Sequence, residues 1–159
     1  MTELQTVSAE SGPLLDEVRA MFRDYAGSLP IDLAFQGFEA ELEALPGKYA
    51  GPAGAIFLAL APGGDALGCV AVRPYPRPGT CELKRLYVRP PGRGTGVGGA
   101  LLDRAIGFAA GAGYGQMLLD TLPSMTGAIR LYEARGFGAV PPFGSAEGPP
   151  LLYFGKSLS

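Results

Sequence analysis

"RLYVRPPGRGTGVGGALL", residues 85–102, contains three arginines, five glycines and no acid, and it runs without a break into an apolar series. A strand that ends in a glycine-rich turn and then opens a helix aims several unpaired N–H groups, together with the positive end of the helix dipole, at one point. Such a point holds an anion, phosphate above all. No acid occurs between Glu82 and Asp103, while Lys84, Arg85, Arg89 and Arg93 fall within ten residues. That run of charge reads either as a solvated face or as the seat of a compact anionic ligand.

Outward from this stretch the periodicities alternate between strand and helix. Before it, "LQTVSA" (4–9) reads as a first strand, β1, and "GPLLDEVRAMFRDYAGSL" (12–29) as a helix, α1, with Leu14, Val18, Met21, Phe22 and Tyr25 on one stripe. "FEAELEAL" (38–45) is a second, acidic helix, α2. "GAIFLALA" (54–61), "LGCVAVRPY" (67–75) and "CELKRLYV" (81–88) are strands β2, β3 and β4, the last two joined by the turn "PRPGT". After it, Val97, Leu101, Ala105 and Phe108 step at helical spacing (α3) until "GAGYG" stops them. "MLLD" (117–120) is a short buried strand, β5. "SMTGAIRLYEAR" (124–135) is a helix, α4, with Ser124 or Thr126 as its cap and Gly136 at its end, and "FGAV" and "LLYFGKSL" supply β6 and β7. The order β1-α1-α2-β2-β3-β4-α3-β5-α4-β6-β7 predicts an α/β fold with one mixed central sheet flanked by helices, in which a crossover makes β4 and β5 parallel. The 159 residues are read as a single domain, and a chain of this length buries roughly 70% of its unfolded surface.

Composition narrows the chemistry. There are 25 glycines and 15 prolines, but 47% apolar content with 18% charge argues for a folded globule. No apolar run reaches the roughly 18 residues of a membrane span, and the early acids of the N-terminus do not suit a secretion signal. The expected location is cytoplasmic, with no membrane partner. A net charge of −2 gives no global attraction to nucleic acid. The two cysteines, Cys69 and Cys81, lack metal-ligand spacing and read as buried free thiols on neighbouring strands. Histidine is absent. Proton transfer therefore falls to carboxylate, phenol, water or amine, and no metal site is expected.

Three phosphate-binding patterns compete for the glycine loop. The P-loop fails, because the Gly-Lys-Ser of the chain, Gly155 to Ser157, has no helix after it. The dinucleotide pattern G-x-G-x-x-G is matched by Gly94, Gly96 and Gly99, with Asp120 about twenty residues on, but residues 89–93 separate it from its strand, and that strand belongs to a meander. The third is Arg-x-x-Gly-x-Gly, met by Arg93, Gly96 and Gly98, preceded by "LYVRP" and followed by "LYEARGF". With these three motifs in order, the chain resembles the GNAT superfamily of acetyl-coenzyme A dependent N-acetyltransferases from its first strand to its tail. The resemblance implies that Arg93, Gly94, Thr95, Gly96, Val97, Gly98 and Gly99 grip the coenzyme diphosphate. It also implies that β4 and β5 splay, so that pantetheine bonds to the free edge at Leu86, Tyr87 and Val88, residues that read equally as strand core.

The same resemblance places Tyr132 beside the coenzyme sulfur as the acid for the departing thiolate, whereas its helical stripe with Met125 and Ile129 offers a plain core role. A phenol near pKa 10 protonates a thiolate near 8.5 only uphill, by about 2 kcal/mol. Glu82 stands where histone-type relatives carry a general base, and it reads equally as an ion-pair partner of Lys84. Relatives carry Asn where this chain has Met125, so a coenzyme contact there is expected from Ser124 or Thr126. The acceptor is expected between α1/α2 and the sheet, near Phe35, Gln36, Arg73 and Asp120. The implied function is transfer of acetyl from acetyl-CoA to a small or amino-acid-like amine by direct attack. A protein lysine or N-terminus is the alternative acceptor, and a non-catalytic acyl-CoA sensor the alternative of another class. A homodimer is left open.

Overall fold

The computed structural model describes residues 5–29, 37–144 and 149–158. Seven strands, Gln5–Ser8 (β1), Ala55–Leu60 (β2), Ala66–Pro74 (β3), Thr80–Val88 (β4), Gln116–Thr121 (β5), Gly138–Ala139 (β6) and Leu152–Ser157 (β7), form one sheet in the order β1-β2-β3-β4-β5-β7-β6. Every neighbouring pair is antiparallel except β4 and β5. The helices are Pro13–Ser28 (α1), Phe38–Ala44 (α2), Val97–Gly111 (α3) and Thr126–Ala134 (α4), so the chain order is the one expected from sequence. The insertion of β7 between β5 and β6 is a tertiary choice that no local pattern announces.

The sheet separates two apolar layers. Phe57, Ala59, Val70 and Val72 face α3, together with Leu101, Leu102, Met117 and Leu119. Ile56, Leu58, Cys69 and Ala71 face α1 and α2, where Val18, Met21, Phe22 and Leu42 cover them. The period-two pleat thus sorts one continuous apolar run in β2 onto two faces, as expected of a strand covered on both sides. Leu101 and Leu102 are fully buried, and truncating either to alanine would cost about 2–5 kcal/mol. Helix α3 approaches the sheet closely at Gly68, where a Cβ would lie 2.7 Å from the Tyr87 carbonyl oxygen and 3.0 Å from Leu101 Cδ1.

One local expectation is corrected. Neither Ser124 nor Thr126 caps α4: the capping position is Met125, with no side-chain hydrogen bond, because Thr126 is already the first helical residue and its amide bonds back to the Ser124 carbonyl. Gly136 closes the helix with φ +88°, as its position suggested. Cys69 and Cys81 are buried and free, on neighbouring strands but opposite faces of the sheet.

Candidate functional site

The parallel pairing of β4 with β5 lasts three rungs, Thr80↔Gln116, Cys81↔Met117 and Glu82↔Leu118, and then stops. Both strands continue, and each keeps its outer partner: β4 stays on β3 as far as Val88↔Gly68, and β5 stays on β7 as far as Thr121↔Leu152. The β5-facing backbone edge of β4 beyond Glu82 therefore has no strand opposite it. Buried backbone polar groups are nearly always paired, so such an edge suits a ligand that carries amides of its own.

Past this edge the chain makes a short 3-10 turn, Pro90–Gly92, and enters the glycine loop. Gly94 and Gly96 have φ +76° and +85°, which a side chain rarely adopts. Gly98 and Gly99 are small for a different reason. A Cβ on Gly98 would lie 3.0 Å from Leu131 Cδ1, and one on Gly99 would lie 2.6 Å from the Arg135 guanidinium. Arg135 is held in turn by Asp103 of α3 at 2.8 Å. The loop motif and "LYEARGF" are thus packed against each other, and the first turn of α3 has neither a side-chain cap nor an acid to occupy its amides. Within the loop, the Thr95 hydroxyl donates to the Gly92 carbonyl, and Arg93 Nε donates to the Val88 carbonyl at 3.1 Å.

A cleft of about 470 Å³ runs along these features. Its walls include Leu86, Tyr87 and Val88 of the free edge, Arg93, Gly94, Gly96, Val97, Gly98 and Gly99 of the loop, and Met125, Gly127, Ala128 and Leu131 of α4. Nine of the ten residues expected to bind the coenzyme line it; Thr95, turned back onto Gly92, does not. Ser28 at the end of α1 also lines it, and nothing in the sequence pointed to that approach. Met125 is on the wall in its own right, while Ser124 and Thr126 are not. A larger cavity, about 910 Å³, lies around the start of β2 and the middle of α3, between Glu10, Tyr49, Asp103 and Arg104. No site candidate from the sequence lines it, and size alone does not make a site.

The positive charge of the opening stretch is mostly spent inside the protein. Arg85 forms a bidentate pair with Glu41 of α2, both bonds 3.0 Å, and Arg89 bonds Glu17 and Asp24 of α1 at 2.7 and 2.9 Å. Lys84 lies 3.8 Å from Glu82. Of the four cations between residues 84 and 93, Arg93 is the one on the cleft wall.

The two proton-handling candidates sit on opposite faces of the sheet. Tyr132 is 5% exposed in the layer under α3 and α4, its ring packed on Phe137 and Phe154 at 5.8 and 6.4 Å. Burial, helped by Tyr25 and Asp120, raises its pKa above the ordinary phenol value, so proton donation is more uphill than the free phenol suggests. Glu82, flanked by Cys81 and Leu83 of that same layer, points the other way and is also 5% exposed. It accepts from Arg73 of β3 at 3.0–3.1 Å as well as facing Lys84, so the expected pair with Lys84 exists but the closer partner is Arg73. Burial lowers the Lys84 pKa, against the opposing pull of Asp120 and Glu82. Asp120, half-buried and paired in register with Tyr153, belongs to this charged strip, as does Arg73. Neither Tyr132 nor Glu82 lines the cleft. Phe35 and Gln36 lie outside the described residues. Among the described residues no group of three or more potential metal ligands occurs, and no helix is long and apolar enough to cross a membrane.

An open-edged β4, a glycine-started α3 and a mixed sheet with β7 inserted place the cleft where the sheet splits, and comparison with known proteins gives this architecture a family. The Acetyltransferase (GNAT) family pattern matches residues 16–137. The chain belongs to that family. It is 39% identical over 145 residues to an N-acetyltransferase of Schizosaccharomyces pombe, covering 91% of this chain and 89% of that one. It is 36% identical over 104 residues to the aminoglycoside N(6')-acetyltransferase type 1 of Klebsiella aerogenes, covering 62% and 68%. The yncA protein of Salmonella typhimurium, solved with its cofactor acetyl-CoA, has a similar fold, with a TM-score of 0.70, 19% identity and coverage of 99% and 95%.

Proposed function

We propose that the protein transfers the acetyl group of acetyl-CoA to the amine of a small-molecule or amino-acid-like acceptor. The observation that carries this reading is the cleft itself, which joins a free strand edge to an uncapped, acid-free helix start. Acetyl-CoA, when bound, supplies a thioester carbonyl activated for attack by an amine. The residues present fit it: the amides of Arg93 to Gly99 suit its diphosphate, with Arg93 adding one charge, and the edge at Leu86–Val88 suits the pantetheine amides.

Both thiols argue for direct attack rather than an acetyl-enzyme. Burial raises the Cys69 pKa strongly and pushes that of Cys81 up to about 12, so neither is a nucleophile near neutral pH. Tyr132, kept protonated by burial, holds the proton that the leaving sulfur needs. Glu82 is the carboxylate for the acceptor amine; its Oε1 accepts from Arg73, and its Oε2, 3.8 Å from Lys84, keeps room for a proton. Its role depends on the acceptor: an amine near pKa 10.4 is about one part in 2,500 neutral at pH 7, one near 7.7 about a sixth. A small acceptor is supported by the relative named for an aminoglycoside.

A second reading, an acyl-CoA sensor without turnover, is favoured by the separation of Tyr132 and Glu82 onto opposite faces. A screen of amines that follows free thiol release from acetyl-CoA tests both. Release with a small amine is the expected result. Release with peptides alone would shift the acceptor to protein, and coenzyme binding without release from any acceptor would favour the sensor.

A further inference from the structure

Arg85 stands out on β4. Among the described residues it is the non-glycine residue with positive φ, +59°. At the same place the register with β3 slips: Cys69 pairs with Tyr87 and Ala71 with Lys84, so β4 carries one residue more than its neighbour. This is a β-bulge, which re-aims the strand beyond it. The strand beyond it is Leu86–Val88, the free edge on the cleft. The bulge also decides which way the edge faces, because a shift of one residue sends every later side chain and backbone group to the other side. Here Leu86 enters the layer under α3 and Tyr87 the layer under α1.

An arginine is not a residue that favours the left-handed region, so something outside the strand must hold it there. The guanidinium makes two parallel bonds to the Glu41 carboxylate, Nε to Oε2 and Nη2 to Oε1, each 3.0 Å. Both side chains are largely removed from water, at 2% and 12% exposure, and the guanidinium lies 5.3 Å from the centre of the Phe38 ring. Glu41 and Phe38 belong to α2, which takes no part in lining the cleft. The bulge carbonyl is held as well, accepting from Cys69 Sγ at 3.2 Å.

We infer that the Glu41–Arg85 fork is a positioning device for the donor: from α2 it holds the β4 bulge, and with it the free edge Leu86–Val88, in the geometry that receives the pantetheine arm and thioester of acetyl-CoA. The inference rests on the acetyl-CoA reading of the cleft. It separates two halves of coenzyme binding, because the glycine loop that takes the diphosphate is built from its own turn, the start of α3 and the contacts with α4.

The test compares acetyl-CoA with 3'-phospho-ADP, which carries the diphosphate but no pantetheine, by titration calorimetry on the full chain. Glu41→Gln should bind 3'-phospho-ADP within twofold of wild type and acetyl-CoA at least tenfold more weakly. Arg85→Gly, which tolerates positive φ but has no tether, should show the same selective loss, and it decides the matter if Glu41→Gln does not fold. Hydrogen exchange at residues 86–88 should quicken in both variants. A purely structural pair would leave the ratio of the two affinities unchanged, and that result, or an equal weakening of both ligands, overturns the inference. Wild type that binds neither ligand overturns the coenzyme reading and this inference with it.

Discussion

The two sides of the β4–β5 split are made of different material. The cleft side is mostly backbone: an unpaired strand edge, two glycines at positive φ, two more that let α4 and Arg135 close in, and a helix start with nothing on its amides. The face toward α1 and α2 is side chains in crossing ion pairs, Arg73 and Lys84 on Glu82 and Arg85 on Glu41, all drawn from different elements except Lys84 and Glu82. A backbone site can hold the same ligand in many sequences, because it asks only for small residues and correct dihedrals. A side-chain site is specific to its residues and is lost when one is changed. The difference suits an enzyme whose donor is common and whose acceptor is particular.

The largest expected effect strikes the backbone side. Gly96→Asp adds a carboxylate at the anion point and forces a side chain onto a residue at φ +85°. Coenzyme affinity should fall more than about 100-fold, since the change removes charge-assisted bonds and adds repulsion at once. The local strain is about 1–2 kcal/mol, too little to unfold an ordinary domain. Calorimetry with circular dichroism measures both, and unchanged affinity would show that the loop is not the site.

Next comes the pair proposed to handle protons, Tyr132 and Glu82, which lie on opposite faces of the sheet. Tyr132→Phe keeps the ring on Phe137 and Phe154 and deletes only the hydroxyl, so kcat should fall roughly 10- to 1,000-fold with little change in coenzyme affinity. Glu82→Gln should lower activity most below the acceptor amine's pKa and recover above it, where the amine needs no base. Rates from pH 6 to 10 separate the two. A wild-type rate for Tyr132→Phe returns that tyrosine to the core.

The arginines offer a sharper contrast between neighbours four residues apart. Arg93→Ala should weaken coenzyme binding about tenfold and leave stability alone, because its charge faces the cleft. Arg89→Ala should do the reverse. Its two ion pairs with α1 involve partly exposed carboxylates, so about 1 kcal/mol of stability is expected to go, with coenzyme affinity unchanged. Urea unfolding and calorimetry on both variants would expose a wrong assignment at once.

That contrast also marks what the sequence could and could not tell. Glycine spacing, the strand before it and the helix after it are contiguous, so the loop and edge that form the cleft are legible within residues 85–102, and the element order follows from periodicity alone. The charge on the same stretch was misleading. The partners of Arg85 and Arg89 lie at Glu41, Glu17 and Asp24, more than forty residues upstream, and only tertiary packing shows that these cations are already neutralised. For the same reason Ser28 on the cleft wall had no local signal, and the sequence points to Ser124 or Thr126 where Met125 is the residue on the wall. By sequence Glu82 reads equally as a general base or as a partner of Lys84 on the same strand face, and the register with β3 that brings Arg73 closer is not a property of β4 by itself.

The last expected effect, absent near neutral pH, concerns stability against pH and divides by residue type, since Tyr25 and Tyr49 share the α1/α2 layer with Lys84 while Tyr132 lies in the other. Lys84, on the ion-paired face, has its pKa lowered from an ordinary 10.5 by burial. Between the lowered value and the ordinary one the unfolded chain binds more protons than the folded chain, so stability rises with pH through that window. Tyr25, Tyr49 and Tyr132 have pKa values raised by burial from an ordinary 10.0. Below pH 10 both states keep those protons and nothing changes. Above it the unfolded chain loses protons that the folded chain retains, and stability falls, with a limit of about 1.4 kcal/mol per pH unit for each tyrosine. Cys69 and Cys81, raised by burial from an ordinary 9.0, add a falling limb of their own above pH 9, so urea unfolding from pH 7 to 11.5 should show a maximum no higher than about pH 9 and a steeper fall above pH 10. Lys84→Met should flatten the rising limb, and Tyr132→Phe should lessen the slope of the falling one. A rising limb untouched by Lys84→Met would mean that the lysine is not buried as a cost, and that the face toward α1 and α2 is wetter than its 6% exposure implies.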